Sequence, residues 1–257
     1  MSLYVGINNT PKKVSRLLMG INNAVKEVSD GYTGGVNSTI EKIFSNSVDI
    51  DTELTKVNPV DVLTSGKIKK SDIGKTVYLS NSQCATQEWR IADVNHDGTT
   101  GTVDLFPKYL LENITRVFDN NTQYYKNSSL RTWLTTTFYN GFTTEVQNAI
   151  KVQSFPSNGE TLNDKVKCPS LNEVGCNKNY ESYVIAEGTI YPIFGTQQLR
   201  PNNLAIYKCT SGDTMNYWTR SRRTGNSGSV WLVDNYGYCN YLDSYIDSYA
   251  VVACIRF

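Results

Sequence analysis

The apolar positions of this chain follow two rhythms. From Thr76 onward they alternate with polar residues or come in short apolar runs bounded by Gly, Asn and Asp, which is the pattern of β-strands. "KTVYLS" alternates, and "QEWRIADVNHDGTTGTVDLFPKYLL" reads as strand, turn at Asp97-Gly98, and strand. Near the C-terminus, "NYWTRS", "SVWLVD", "GYCNY" and "AVVACIRF" read as further strands. The last is almost wholly apolar, as a central strand buried on both faces should be. Between these blocks the period lengthens. In "NSSLRTWLTTTFYNGF", Leu130, Trp133, Leu134 and Phe138 fall on one helical stripe, with Ser128 or Ser129 placed to cap its start. "TTEVQNAI" predicts a second helix with a Thr cap and with Val146, Ala149 and Ile150 inward. Ser170 followed by Glu173 is a capping-box pattern and predicts a short third helix after a strand at "DKVKC".

Residues 1–45 repeat internally. Gly6-Ile7-Asn8-Asn9, Gly20-Ile21-Asn22-Asn23 and Gly35-Val36-Asn37-Ser38 are each followed by a short charged and apolar segment ending in Val14, Val28 or Ile43. Each unit predicts a hairpin turning at Asn-Asn or Asn-Ser. Hairpins this small cannot bury an apolar face alone, so they stack either on copies from neighbouring subunits or on their own C-terminal domain. Residues 46–70 are mostly polar and contain "VNPVDVL", whose proline disfavours helix at Asn58; this stretch is expected to be a linker holding one short helix or strand. The expected division is therefore 1–45 repeat segment, 46–70 linker and 71–257 main domain.

Composition narrows the function. The net charge is +1, so no global field recruits nucleic acid or an acidic membrane. No run of apolar residues approaches the ~20 needed to cross a bilayer, and the N-terminus lacks the pattern of a signal peptide. The six cysteines are widely and irregularly spaced, and His96 is the only histidine. That excludes the usual Cys/His zinc spacings and deprives a Cys/His or Ser/His/Asp nucleophile of any base but His96. Disulfides are permitted but not demanded, and most of the cysteines read as small buried hydrophobes. Asn95-His96-Asp97-Gly98 has part of a calcium-loop pattern but lacks its downstream Glu, so a hairpin turn is expected. No cofactor, metal or catalytic residue is predicted. Tyrosine supplies 17 of the aromatic residues, and its distribution matters more than its number.

The ordered segments "EWRIADV", "SSLRTWLTTTFYNGF", "DKVKCPSLNEVG", "YWTRS", "GSVWLVDNYG" and "YAVVACIRF" resemble the formylglycine-generating-enzyme-like branch of the C-type-lectin fold. They also resemble the variable proteins of diversity-generating retroelements, and "YVGINNTPKKV" resembles short repeats of tailed-phage structural proteins. The resemblance implies an α+β fold: a C-type-lectin-like domain with two core helices and a mostly antiparallel sheet, preceded by a small β-repeat N-terminal segment. It implies a variable region at 218–257, within a framework that keeps Trp218, Arg220, Ser221, Trp231, Val233 and Gly237 constant. Arg220 is expected to be satisfied by a buried carboxylate or by backbone carbonyls. It further implies a homotrimer on a virion, facing a protein or glycan receptor on the host. The reactive cysteine pair of the enzymes in that branch has no counterpart, and neither do the calcium-binding motifs of its lectins.

Residues 222–249 hold five Tyr, three Asn, three Asp and four Ser, which is the mixture of rigid aromatics and short polar side chains found in antibody paratopes. The candidate ligand-binding residues are Arg222, Arg223, Asn226, Ser229, Asp234, Tyr236, Tyr238, Asn240, Tyr241, Asp243, Tyr245, Asp247 and Tyr249. Either this stretch forms an outward binding face, or its tyrosines lie over the core. The expected function is a non-catalytic receptor-binding display protein of a phage tail or virion; the alternative is a virion component whose lectin-like domain only packs.

Overall fold

The computed structural model describes residues 49–257 apart from 85–86, 112–114, 177–182, 196–208, 210 and 247, and within residues 1–48 the backbone of six strands. The chain divides into two compact units, Met1–Asp49 and Ile50–Phe257.

The first unit holds three antiparallel hairpins: β1 (Leu3–Ile7) with β2 (Thr10–Val14), β3 (Leu18–Ile21) with β4 (Ala24–Glu27), and β5 (Gly31–Gly34) with β6 (Ile40–Phe44). Ile7 pairs with Thr10 and Ile21 with Ala24, so the repeated sequence builds the same register twice. The expected turns at Asn8-Asn9, Asn22-Asn23 and Asn37-Ser38 lie outside the described residues.

The second unit begins earlier than the sequence pattern suggests. Residues 50–68 are not a linker: α1 (Ile50–Leu54) and α2 (Val60–Thr64) place Leu54, Val62 and Leu63 in the core, and Ile68 follows them there. Pro59 sits at the N-terminal boundary of α2, where its missing N–H interrupts no helical bond. Two helices of five residues each are too short for apolar periodicity to show.

The strands then run in order as β7 (Thr76–Tyr78), β8 (Glu88–Val94), β9 (Val103–Pro107) and β10 (Thr115–Arg116). The helix α3 (Ser129–Trp133) follows and widens into a π turn over Leu134–Phe138, and α4 (Thr144–Ala149) comes next. Both predicted caps form: Ser128 Oγ accepts from Arg131 N at 3.1 Å, and Thr143 Oγ1 accepts from Val146 N at 3.4 Å. Leu130, Trp133, Leu134, Phe138, Val146 and Ile150 are buried. After these come the hairpin β11 (Gln153–Ser157) and β12 (Glu160–Asp164), then β13 (Val166–Lys167), β14 (Tyr217–Arg222), β15 (Ser229–Val233), β16 (Cys239–Asp243), β17 (Tyr249–Ala250) and β18 (Cys254–Arg256).

Two five-stranded sheets result. One, in the order β13-β18-β9-β8-β7, is antiparallel throughout; the other, β10-β17-β14-β15-β16, contains one parallel pair, β14 with β17. The unit is thus a mixed α+β fold with few helices and mostly antiparallel sheets. The terminal strand lies between β13 and β9, as its apolar composition requires. Side chains of alternating residues enter two separate cores. Val251, Ala253, Ile255 and Phe257 join the cluster around Trp89 and Phe138, while Ala250, Val252 and Cys254 join a second cluster around Phe106 and Tyr191. β15 is divided the same way, with Val230 and Leu232 on one side and Trp231 and Val233 on the other.

The capping box at Ser170 forms without its helix. Ser170 N donates to Glu173 Oε2 and Glu173 N donates to Ser170 Oγ, both at 3.0 Å, but the chain makes a single turn and leaves it at Gly175 with φ of 82°. Glu173 is claimed by a buried ion network described below, and the turn serves to place it there.

Candidate functional site: an aromatic sheet edge

The scaffold of the site is the β14–β15–β16 meander, and its interior is charged as well as apolar. Arg220 lies fully buried on β14. Its Nη1 donates to Glu173 Oε2 at 2.6 Å and to Cys168 O at 3.0 Å, its Nη2 to Glu173 Oε1 at 3.0 Å, and its Nε to Pro156 O at 3.2 Å. Lys167 Nζ donates to the same Glu173 Oε1 at 2.8 Å. Burial by itself would raise the Glu173 carboxyl, but Arg220 and Lys167 outweigh it and hold the group down at about 2. Glu187, 4.0 Å from Arg220 Nε, goes the other way: desolvation exceeds the attraction of Arg220 and raises its carboxyl above the ordinary range. Its oxygens accept from Asn158 N and from Ser221 Oγ, the latter at 2.9 Å. Arg220 is therefore satisfied by both kinds of partner expected from the sequence, a buried carboxylate and backbone carbonyls.

On this support, β16 is the outermost strand of its sheet. The turn before it, the strand itself and the turn after it carry Tyr236, Tyr238, Tyr241 and Tyr245, which are 73%, 45%, 38% and 55% exposed. Asn240 is exposed between them, and Ile246 is exposed beside Tyr245. Tyr241 is held from behind by Trp231 on β15, whose ring meets it edge-on at 5.3 Å. The guanidinium of Arg223 lies 3.7 Å from the Tyr241 ring centroid, close enough for a cation–π contact. The Tyr241 backbone N–H is taken by Asn240 Oδ1 at 2.8 Å, which blunts this edge against pairing with another strand. Tyrosines of one strand and its flanking turns thus line an edge rather than spread over a flat face.

The remaining candidates divide. Arg222 lies on the other side of the sheet end, over the Tyr124 ring at 4.8 Å with Nη1 donating to its hydroxyl. Asn226 is exposed in the loop joining β14 to β15. Ser229 is a correction: it is 2% exposed, and its hydroxyl donates to Asp243 Oδ1 at 2.9 Å, so both serve the β15–β16 pairing. Asp234 Oδ1 accepts from Tyr236 N at 3.0 Å and Tyr238 N at 2.8 Å, making it the anchor of the turn rather than a free acceptor. Tyr249 packs edge-on against Trp218 at 5.0 Å and pairs with Arg116, so it belongs to the framework. Asp247 lies outside the described residues. Sequence reading missed Tyr124 and Tyr183, exposed rings that accompany Arg222 and Arg223; they lie in distant segments and carry no local signal.

His96 is on the predicted turn, yet it is buried: Nδ1 is 2.8 Å from Asp93 Oδ2 and the ring stacks on Tyr191 at 3.7 Å. A cleft of about 240 Å³ opens between Tyr124, Lys126, Asn158 and Glu160, with the Lys126–Glu160 pair bridging it at 2.6 Å. Among the described residues no three His, Cys, Asp or Glu side chains are grouped to hold a metal ion, and no helix is long and apolar enough to cross a membrane.

These features define a mixed α+β domain with a buried ion network and an aromatic outer strand. Its strands from β9 to the C-terminus fall within residues 100–256, which match the family described as a domain of unknown function, DUF6273. The match covers more than half of the chain, which therefore belongs to the DUF6273 family. No curated protein and no solved structure matches it.

Proposed function

We propose that this chain is a non-catalytic display protein whose aromatic edge binds a protein or glycan receptor on a host surface. In this reading the second unit is a C-type-lectin-like domain of a phage tail or virion protein, the N-terminal hairpins assemble it as a homotrimer, and a retroelement diversifies residues 222–249. The observation that carries it is the gathering of four exposed tyrosines on an edge strand and its two flanking turns, beside an inner strand that is entirely buried. Tyrosine in such a setting offers contact area at low entropic cost, and the stiff strand behind it keeps the cost of ordering low. Trimerisation would multiply weak contacts by avidity. The two buried carboxylates with shifted titration, Glu173 and Glu187, are sealed from solvent and engaged with Arg220, which fits a structural rather than a catalytic use.

Replacing Tyr236, Tyr238, Tyr241 and Tyr245 by alanine together is expected to weaken binding of the full chain to bacterial host cells at least ~100-fold, since hot-spot aromatics contribute about 2 kcal/mol or more each. The melting temperature should fall by no more than ~5 °C, because Tyr236, Tyr238 and Tyr245 stand on exposed turns and only Tyr241 packs against Trp231. Quantitative cell binding by fluorescence, with a thermal melt of the same samples, checks both. Unchanged binding would overturn the assignment of the edge, and rings that become buried on particle assembly would favour a packing role. Gene sequences from related isolates test the diversification separately: substitutions should concentrate in residues 222–249, and an even spread along the chain would remove the retroelement.

A further inference from the structure

We propose that Cys176 and Cys239 are the site of a reversible intramolecular disulfide that fastens the tyrosine-bearing edge strand to the turn after Ser170. The Cys239 thiol donates to the Cys176 carbonyl oxygen at 2.7 Å, so its sulfur lies directly against the Cys176 backbone. Both backbones are fixed. Cys239 opens β16 opposite Val233, and Cys176 N donates to Leu171 O at 3.0 Å, closing the turn that Glu173 and Arg220 anchor. Both side chains pack in the cluster around Tyr191. A disulfide requires β-carbons about 4 Å apart and a suitable side-chain rotation. With the Cys239 sulfur already against the Cys176 backbone and both backbones fixed, side-chain rotation is the movement that remains. Cys168 and Cys254 are occupied otherwise: Cys168 Sγ donates to Trp218 O at 3.2 Å, and Cys254 Sγ meets Tyr191 Oη at 3.4 Å.

The oxidant is a small disulfide such as oxidised glutathione. The partly buried Cys239, more accessible than the buried Cys176, reacts first: its thiolate attacks one glutathione sulfur, breaks that S–S bond and releases one glutathione thiolate. The Cys176 thiolate then attacks the Cys239 sulfur of the mixed disulfide and releases the second. Two protein thiols are oxidised, one glutathione disulfide is reduced, and the two thiol protons pass to the departing thiolates. The hydrogen bond to Cys176, together with burial, pushes the Cys239 thiol far above its ordinary range. Thiolate is therefore scarce at neutral pH, and formation should be slow there and faster as the pH rises. This cross-link would hold the edge whatever that edge touches, so it does not depend on the binding reading.

The test is to incubate the full native chain with excess oxidised glutathione, block remaining thiols with iodoacetamide, digest, and map the peptides by mass spectrometry. A peptide pair joining Cys176 to Cys239 is expected, forming faster at higher pH and absent from Cys176→Ser and Cys239→Ser. The oxidised wild-type chain should melt roughly 5–10 °C higher than the reduced one, since closing a long loop restrains the unfolded chain. Recovery of both cysteines in the iodoacetamide form, or of Cys239 carrying only glutathione, would overturn the site. A linked peptide with no rise in melting temperature would overturn the fastening role.

Discussion

Replacing Glu173 by glutamine is expected to destabilise the Ile50–Phe257 unit by about 3–5 kcal/mol, because it leaves two buried cations without their shared carboxylate. Arg220 and Lys167 both converge on that group from within the protein, at 2.6–3.0 Å and 2.8 Å respectively. Neither can turn to water, since both are almost wholly buried. Glu187→Gln supplies the contrast. Burial raises the Glu187 carboxyl and disfavours its charged form, so this replacement should cost clearly less than that of Glu173. The two carboxylates also give opposite pH dependences. Glu173 is held at about 2, below its ordinary value of 4.5, so its stabilisation is complete above 4.5 and is lost as the pH falls towards 2. The Glu187 carboxyl is raised, so its contribution is complete below 4.5 and is lost as the pH rises through its folded value. Urea unfolding at pH 7 and at intervals down to acid measures all three effects. Equal losses for the two glutamine variants at neutral pH would refute this division of roles.

Asp104→Ala should cost a similar ~3–5 kcal/mol by stranding Arg256. Arg256 grips Asp104 with two bonds, Nε to Oδ1 at 2.5 Å and Nη2 to Oδ2 at 2.6 Å, which tie the terminal strand to β9. Tyr191 Oη donates to the same carboxylate at 3.0 Å while its ring stacks on His96, so one residue joins the last strand, the β8–β9 hairpin and the second core. The harm should come chiefly from the charge left alone. The double variant Asp104→Leu with Arg256→Met is accordingly expected to be less destabilised than Asp104→Ala, with a coupling of roughly 1–3 kcal/mol in a double-mutant cycle. Costs that simply add would mean that the pair acts as two independent side chains.

The parts of this molecule that one-dimensional patterns specify were legible before the structure. The strand at β14, the hairpin of β8 and β9, the buried stripe of α3 and the caps at Ser128 and Thr143 depend on residues within a few positions of one another. So do the three N-terminal hairpin strand pairs. For α1 and α2 the sequence offered only one short helix or strand in a linker, because five residues carry too little periodicity, and the Ser170 box promised a helix that the demands on Glu173 cut to one turn.

For the site, the sequence by itself determined the supply: a C-terminal stretch rich in tyrosine and short polar residues, on a framework containing Arg220. The tertiary structure decided the use. It alone turned Tyr236, Tyr238, Tyr241 and Tyr245 outward while spending Ser229, Asp234, Asp243 and Tyr249 on the scaffold. It alone brought Lys167, Glu173, Glu187 and Arg220 together. The physical reason is that a turn or a cap is settled by neighbours along the chain, whereas exposure and charge pairing depend on which distant segments come to lie against each other. No local pattern encodes that.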